Sequence, residues 1–594
     1  MNWFVFKHKN VLNTYSKKLY MMDNKFSIGY YKSNPLDIVS LENNYIPSTD
    51  DVQIGYNPFC IDKLQKYNPI YDKLFTLSNK NYNMIQLNHY KHFVNPHLVI
   101  DMSDIEHKTD IFFKYSPLLD PLRYMVGKYE NDSERLNNLP VATCVANDSS
   151  NNVISKISSH HNCAYVDTFF YYLSSMTLQN HNIINCLDFY GSFLGIQQKY
   201  KYDVSDDIDY LTESPFFNNN NNHLFTLQNV DIDQYPNDDS RKQRPKLYIS
   251  KTNHNISAVS IAESLTDIDD IDNINDLTLD NCIVYENKLN VDNSKDEDST
   301  DDGQSSDDNS SIAYTTDSDE DEDDESDWET STDTSNDDST CSIQEDQYVY
   351  INNYPVQMIC LEKCDGTFDD LFTSGSATLE NTSSALFQVV MSLIIYQKMF
   401  SFTHNDLHTN NIMYTETDIP YLFYKFENIV YKVPTYGRIY KIIDFGRSIY
   451  RFNGTTYCSD SFGPGGDADT QYNCEPFFNN KKARLEPNMS FDLCRLGCSI
   501  YDFIIPEHLE YDDYDDLQKT IYRWCLDDNN KNVLYKKNGD ERYPDFKLYK
   551  MIARTVHKHT PQEQLQYPFF HQFIINETEV GEQVMDVNRL PKYF

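Results

Sequence analysis

Apolar residues recur at helical spacing in three stretches of the chain. In NTSSALFQVVMSLIIYQKMF, residues 381–400, Leu386, Val389, Val390, Leu393 and Ile394 fall on one face and Thr382 or Ser383 is available as the cap, so the spacing predicts a helix. SFDLCRLGCSIYDFI, residues 490–504, repeats the pattern with Leu493, Leu496, Ile500 and Ile504, and AYVDTFFYYLSSMTLQ, residues 164–179, reads as an aromatic helix. Elsewhere the pattern shortens. HLVIDMSDIEHKTDIFFKYSPLLDP, residues 97–121, holds two β-rich runs around a polar turn, and YPVQMICLEKCDG, residues 354–366, is a buried strand ending at a polar turn with Gly366. YLFYKFENIVYKVPTYGRIY, residues 421–440, alternates aromatic, β-branched and charged residues as an extended hairpin does.

With 594 residues, 40% of them hydrophobic and 14% aromatic, the chain has material for more than one core, or for one domain with large insertions. Its net charge of −41 disfavours nucleic acid or an anionic membrane as partner. Residues 296–346 hold 22 Asp or Glu and no Lys or Arg, interleaved with Ser and Thr. That tract cannot bury a core and is expected to be disordered, as a spacer, an acidic docking arm or a phosphorylated segment. Residues 201–295, including FFNNNNNHLF, are read as part of the same insertion. Thirteen cysteines without a CxxC pair argue against a disulfide framework or structural zinc and point to a reducing, intracellular compartment. The start, MNWFVFKHKNVLNTYSKKLYMM, lacks the uninterrupted apolar run of a secretory signal, and no apolar window of membrane-spanning length is expected elsewhere.

Two phrases concentrate chemistry: FTHNDLHTNNIMY, residues 402–414, and KIIDFGRS, residues 441–448. Asp406 precedes Asn411 by five positions, and Asp444 opens the DFG. Mg²⁺ prefers hard oxygen ligands and keeps substrate phosphates in its shell, which suits Asn411 and Asp444. A carboxylate that orients a hydroxyl and takes its proton suits Asp406, with His408 in place to contact a transferring phosphate.

HNDLHTNN resembles the HRDLKxxN catalytic loop of the protein kinase superfamily, and IIDFG resembles its metal-binding DFG. SFDLCRLGC is similar to the kinase helix whose aspartate, here Asp492, braces the catalytic loop from beneath. HKHTPQEQLQYPFF, residues 557–570, resembles the end of the kinase C-lobe, and ICLEKCDGTFDDLF, residues 359–372, resembles the strand and hinge that hold adenine.

The resemblance implies an α+β, bilobal protein-kinase-like fold with a small β-rich N-lobe, a helical C-lobe and large insertions. Residues 1–95 would be an N-terminal extension of unknown role, 96–200 part of the N-lobe and 201–346 the insertion. Residues 347–575 would hold the last N-lobe strand, hinge and C-lobe, and 576–594 a tail. It also implies ATP and Mg²⁺ as cofactors, a protein hydroxyl as acceptor with serine or threonine favoured, Leu361 guarding the back pocket, and backbone groups of Glu362 and Cys364 at the adenine edge.

A kinase needs a strand lysine for the α- and β-phosphates, and Lys114 in IFFKYSP fits, with Lys156 in NVISKIS as rival. Its acidic partner belongs on helix 164–179, which contains no Glu and only one acid, Asp167. No GxGxxG and no APE occur; Glu475 and Glu486 stand as substitutes for the latter, and Lys558 sits where the family has its arginine partner. GPGGD, residues 463–467, reads as a flexible turn. HNDLH is similar as well to the HGDLHxGN loop of aminoglycoside and choline kinases, and the missing glycine loop and helix Glu keep a pseudokinase or scaffold open. The asparagine- and tyrosine-rich, irregular character resembles divergent serine/threonine protein kinases of large DNA viruses, which implies a place in the host cytoplasm or the virion.

Overall fold

The computed structural model describes residues 26–228 and 347–594, apart from 33–35, 130–135, 143–151, 206, 507–509, 577 and 579–582. The acidic tract 296–346 and the chain start lie outside the described residues. What is described is a mixed α+β fold.

Its largest sheet is antiparallel, in the order Ile61–Gln65, Phe189–Asp203, Tyr348–Glu362, Ile111–Pro117, with Phe225–Gln228 also paired to Tyr348–Glu362. The two central strands are each 15 residues long and pair from Tyr348↔Asp203 to Leu361↔Phe189. The long insertion therefore joins strands that are neighbours in space. Closing such a loop costs only slowly more as it lengthens, so the sheet tolerates it. A strand from before residue 95, Ile61–Gln65, belongs to this sheet as well.

Side chains alternate across the Ile111–Pro117 strand. Ile111, Phe113 and Tyr115 pack with Phe193, Met358 and Cys360 in one cluster, which leaves Phe112 and Lys114 on the opposite face. There Lys114 lies opposite Ile359 and Phe112 opposite Leu361, both part of the main core.

The helix expected at 381–400 runs Leu379–Phe400 and starts earlier than its apolar pattern suggests. Thr378 is the cap: its hydroxyl accepts from the Asn381 amide at 3.3 Å and the Asn381 side chain accepts from the Thr378 amide at 2.8 Å. Thr382 and Ser383, the expected caps, are buried inside the helix because this reciprocal box fixes the start upstream. By length and hydropathy this helix is apolar enough to cross a membrane, contrary to the expectation that no such window exists, but 94% of that window is buried. A helix apolar all round and surrounded on all sides is a core helix.

Phe491–Ile504 packs on Asp516–Trp524 at Gly497, where an added Cβ would lie 2.9 Å from Trp524 Cβ and 3.3 Å from Cys525 Sγ. Gly497→Ala is expected to cost about 1–3 kcal/mol by overpacking. Urea denaturation measures it, and an unchanged midpoint would mean that the two helices separate freely.

The stretch 421–440 differs from its reading as one extended hairpin. Tyr421–Phe426 and Ile429–Pro434 do pair, but Tyr436 and Gly437, with φ of 47° and 80°, turn the chain away. Arg438–Ile442 then joins a different sheet, pairing with Ile412–Glu416. The DFG segment thus leaves from the strand beside the one that follows FTHNDLHTNN, and this shared pair positions the site.

Candidate active site

The loop 402–411 is held by its own backbone. Both oxygens of Asp492, a fully buried carboxylate on the Phe491–Ile504 helix, accept amides of the loop, His404 N and Asn405 N, each at 2.9 Å. His404 accepts from the Asp406 amide at Nδ1, 3.3 Å, and its Nε2 donates to the Ile443 carbonyl at 2.8 Å. That fixes the tautomer and ties the loop to the residue before Asp444.

Asn411 closes the loop from the other side. Its amide nitrogen donates to the Asp406 carbonyl at 2.9 Å and to His408 Nε2 at 3.0 Å, which commits both amide hydrogens and leaves Oδ1 as its acceptor atom. Ile443 N donates to the Asn411 carbonyl at 3.0 Å, one step beyond the Ile412↔Ile442 pair, so Asn411, just before one strand, and Asp444, just after its antiparallel neighbour, lie at the same end of that pair.

Across the sheet, Lys114 Nζ lies 2.8 Å from Asp167 Oδ2 and 2.9 Å from Asp444 Oδ1. Asp167 stands on the Cys163–His181 helix, which is buried along most of its length. Its other oxygen accepts from the Phe445 amide at 2.7 Å, and one turn further Tyr171 accepts from the Asp444 amide at 2.8 Å through its hydroxyl. Asp444, at φ 61°, is thus gripped on both sides of its Cα. Phe445 is wholly buried among Phe170, Tyr171 and Phe402, with ring centroids at 4.6, 4.8 and 5.9 Å. The helix comes close enough to the sheet for an aspartate to reach where a glutamate was lacking.

Burial pushes the Asp167 carboxyl up, to about 6, against the pull of Lys114. Asp444 is held below the ordinary carboxylate range, because the charge and hydrogen bond of Lys114 outweigh its burial. Of the two carboxylates that share this lysine, Asp444 holds its charge to the lower pH. Burial lowers His408 to about 4, against the attraction of Asp406, so near neutral pH it is uncharged and offers a phosphate no positive charge.

His92, His160 and His181 are likewise lowered to about 4 by burial. Unfolded, each would titrate near 6.5. Below that value the unfolded chain binds more protons, so stability is expected to fall as pH drops from 6.5 and to level off near 4, by up to about 1.4 kcal/mol per pH unit per histidine. Asp120, Asp167 and Asp492, pushed up by burial, run the other way over part of the window, against His89, His161 and His559, which burial lowers along with the four histidines above. Chemical denaturation between pH 7.5 and 4.5 checks the sign; a midpoint that rises on acidification would refute it.

Leu361 is buried at the end of its strand, opposite Phe112. Glu362 uses its side chain structurally: Lys441 Nζ binds its two oxygens at 2.8 and 2.7 Å, and the Asp188 amide donates to Oε2 at 3.0 Å. Asp188 in turn takes Lys91 at 2.8 Å and Ser175 at 2.7 Å. Cys364 is half-buried just beyond. The rival lysine, Lys156, lies elsewhere, 3.2 Å from Asp460. Glu486 pairs with Arg484, while Lys558 donates to the Asp528 carbonyl, so these two are not brought together.

Tyr171, Lys441, Asp188 and Lys91 escaped the sequence reading, as did Tyr549, whose hydroxyl donates to Asp406 Oδ1 at 2.7 Å. Of these, Lys441, three positions before DFG, and Tyr171, on the aromatic stretch 164–179, lay within phrases already singled out.

No family model matches the chain. Over 77 residues, 12% of its length, it is 43% identical to a probable serine/threonine-protein kinase of Dictyostelium discoideum, and the match spans 6% of that protein. This partial likeness suggests a kinase relationship. The relative is an amoebal protein, and the match carries nothing of the viral resemblance.

Proposed function

We propose that the chain is a protein kinase with the two-lobed kinase fold, transferring the γ-phosphoryl of ATP to a protein hydroxyl, serine or threonine by preference. The observation that supports it best is Lys114 joined to Asp167 and Asp444, a strand lysine, a helix acid and the DFG aspartate meeting across 330 residues of sequence. Lys114 meets the α- and β-phosphates, and the hinge backbone at Glu362 and Cys364 meets adenine beside Leu361.

The donor set fits magnesium: an ionised carboxylate oxygen on Asp444 and the amide oxygen of Asn411, both hard, at the same end of one antiparallel strand pair. When bound, the ion would draw charge from the phosphates. The chain's own part is to hold the loop on Asp492 and to present Asp406 to the acceptor hydroxyl. Its partner is a protein substrate inside the cell, with neither nucleic acid nor membrane needed; the acidic tract is a docking arm.

The absence of a GxGxxG motif favours one second reading, a kinase-like scaffold without transfer. The full chain incubated with labelled ATP, Mg²⁺ and mixed protein and small-molecule acceptors separates them. Labelled protein supports the proposal, labelled aminoglycoside or choline redirects it, and no labelled product from any acceptor refutes it.

A further inference from the structure

The Asp406 carboxylate already has a partner. Tyr549 stands on the Phe546–Thr555 helix, and its hydroxyl donates to Asp406 Oδ1 at 2.7 Å while accepting from Arg495 Nε at 2.9 Å. The phenol ring is fixed in turn: Phe546 stacks on it at 5.5 Å and 23°, and the guanidinium groups of Arg495 and Arg447 lie 5.1 and 5.7 Å from its centroid.

A carboxylate that accepts at one oxygen loses its rotation about Cβ–Cγ and keeps its other oxygen for a second donor. A base oriented by a third group is a general arrangement for proton abstraction. We propose that Tyr549 is a positioning residue for phosphoryl transfer, its hydroxyl locking Asp406 Oδ1 so that Oδ2 receives the acceptor hydroxyl. The proposal rests on the kinase reading above. Arg495 polarises the phenol by donating to its oxygen, which strengthens the phenol's own donation.

The groups facing Asp406 are Arg447 after the DFG, His408 on its own loop, Arg495 and Asp492 on the Phe491–Ile504 helix, and Tyr549. Burial pushes the Asp406 carboxyl up, but Arg447, His408, Arg495 and the Tyr549 hydrogen bond together hold it below the ordinary range. The phenol is itself pushed up by burial to about 12, so it remains a donor throughout the working pH range.

Tyr549→Phe keeps the packed ring and removes the hydroxyl alone. In the full chain kcat is expected to fall about ten- to a hundredfold, the loss of one hydrogen bond to a charged group, with KM for ATP unchanged. The acidic limb of the kcat–pH profile should also move to higher pH, which a merely structural role would not produce. Should this variant lower the melting temperature by more than a few degrees, the same comparison of limbs is made at a reduced temperature at which thermal melts show parent and variant both folded. An unmoved limb overturns the proposal, and so does a rise in kcat, which would make Tyr549 a plug in the acceptor site. A parent chain that transfers nothing overturns the kinase reading and this proposal together; a transferring parent matched by Tyr549→Phe overturns this proposal alone.

Discussion

Replacing Asp444 with asparagine is expected to abolish phosphoryl transfer while leaving the chain folded. Asparagine has the same size, tolerates the left-handed backbone that Asp444 adopts at φ 61°, and leaves the grips of Tyr171 on residue 444 and of Asp167 on Phe445 intact. What it removes is charge. Lys114 loses one of two acidic partners while Asp167 loses a like-charged neighbour, opposing effects that should leave the melting temperature within a few degrees of the parent's. In the proposed kinase the oxygen offered to the metal becomes neutral where the developing phosphate charge needs a cation held, a contribution of several kcal/mol and hence a loss of about a thousandfold or more in kcat. Labelled-ATP assays of parent and variant at matched Mg²⁺, beside a thermal melt, provide the measurement. Transfer within tenfold of the parent would end the assignment of Asp444 as a metal ligand.

The parts of this site that were legible in the sequence are those written in local spacing. FTHNDLHTNN keeps Asp406, His408 and Asn411 within six residues, and the helix bearing Asp492 announces itself by its apolar period. Contacts that cross the chain carry no such period. Whether Asp167 reaches Lys114 depends on how near its helix lies to the sheet, which is set by Phe170 and Tyr171 packing on Phe445. Side-chain length at one position does not reveal that distance.

Lys441 and Glu362 illustrate the same limit, since each looked like an ordinary strand or hinge residue until the register placed them together. The cap at Thr378 was missed for a more local reason. Its partner Asn381 is polar, and the apolar pattern begins after it. The path of 435–442 was missed because a pair of residues with positive φ redirects a run whose alternation continues unbroken.

Asp492→Ala is expected to be the most destabilising single change at the site. The carboxylate is fully buried, and burial pushes it up even though His404 and the two amides it accepts favour its charge. Its removal leaves the amides of His404 and Asn405 without an acceptor in a region closed to water. Each orphaned donor costs about 1–3 kcal/mol, and a lost carboxylate adds a cavity, so about 3–5 kcal/mol is expected. That is a large share of the 5–15 kcal/mol typical of a folded domain.

Asp492→Asn separates the two contributions. An amide side chain can satisfy one loop amide through its oxygen but turns a donor toward the other, so it should recover only part of the loss. Asn405 sits at φ 64°, a conformation that must be imposed from outside, and Asp492 is one of the groups imposing it; Tyr472, donating to the Asn405 side chain at 2.9 Å, is another. Hydrogen exchange at the amides of residues 404 and 405 should therefore accelerate in Asp492→Asn more than exchange in the Leu379–Phe400 helix, which makes no contact through these amides. Uniform acceleration across both would place the damage in global stability, and an Asp492→Ala midpoint equal to the parent's would show that the loop holds its shape without the brace.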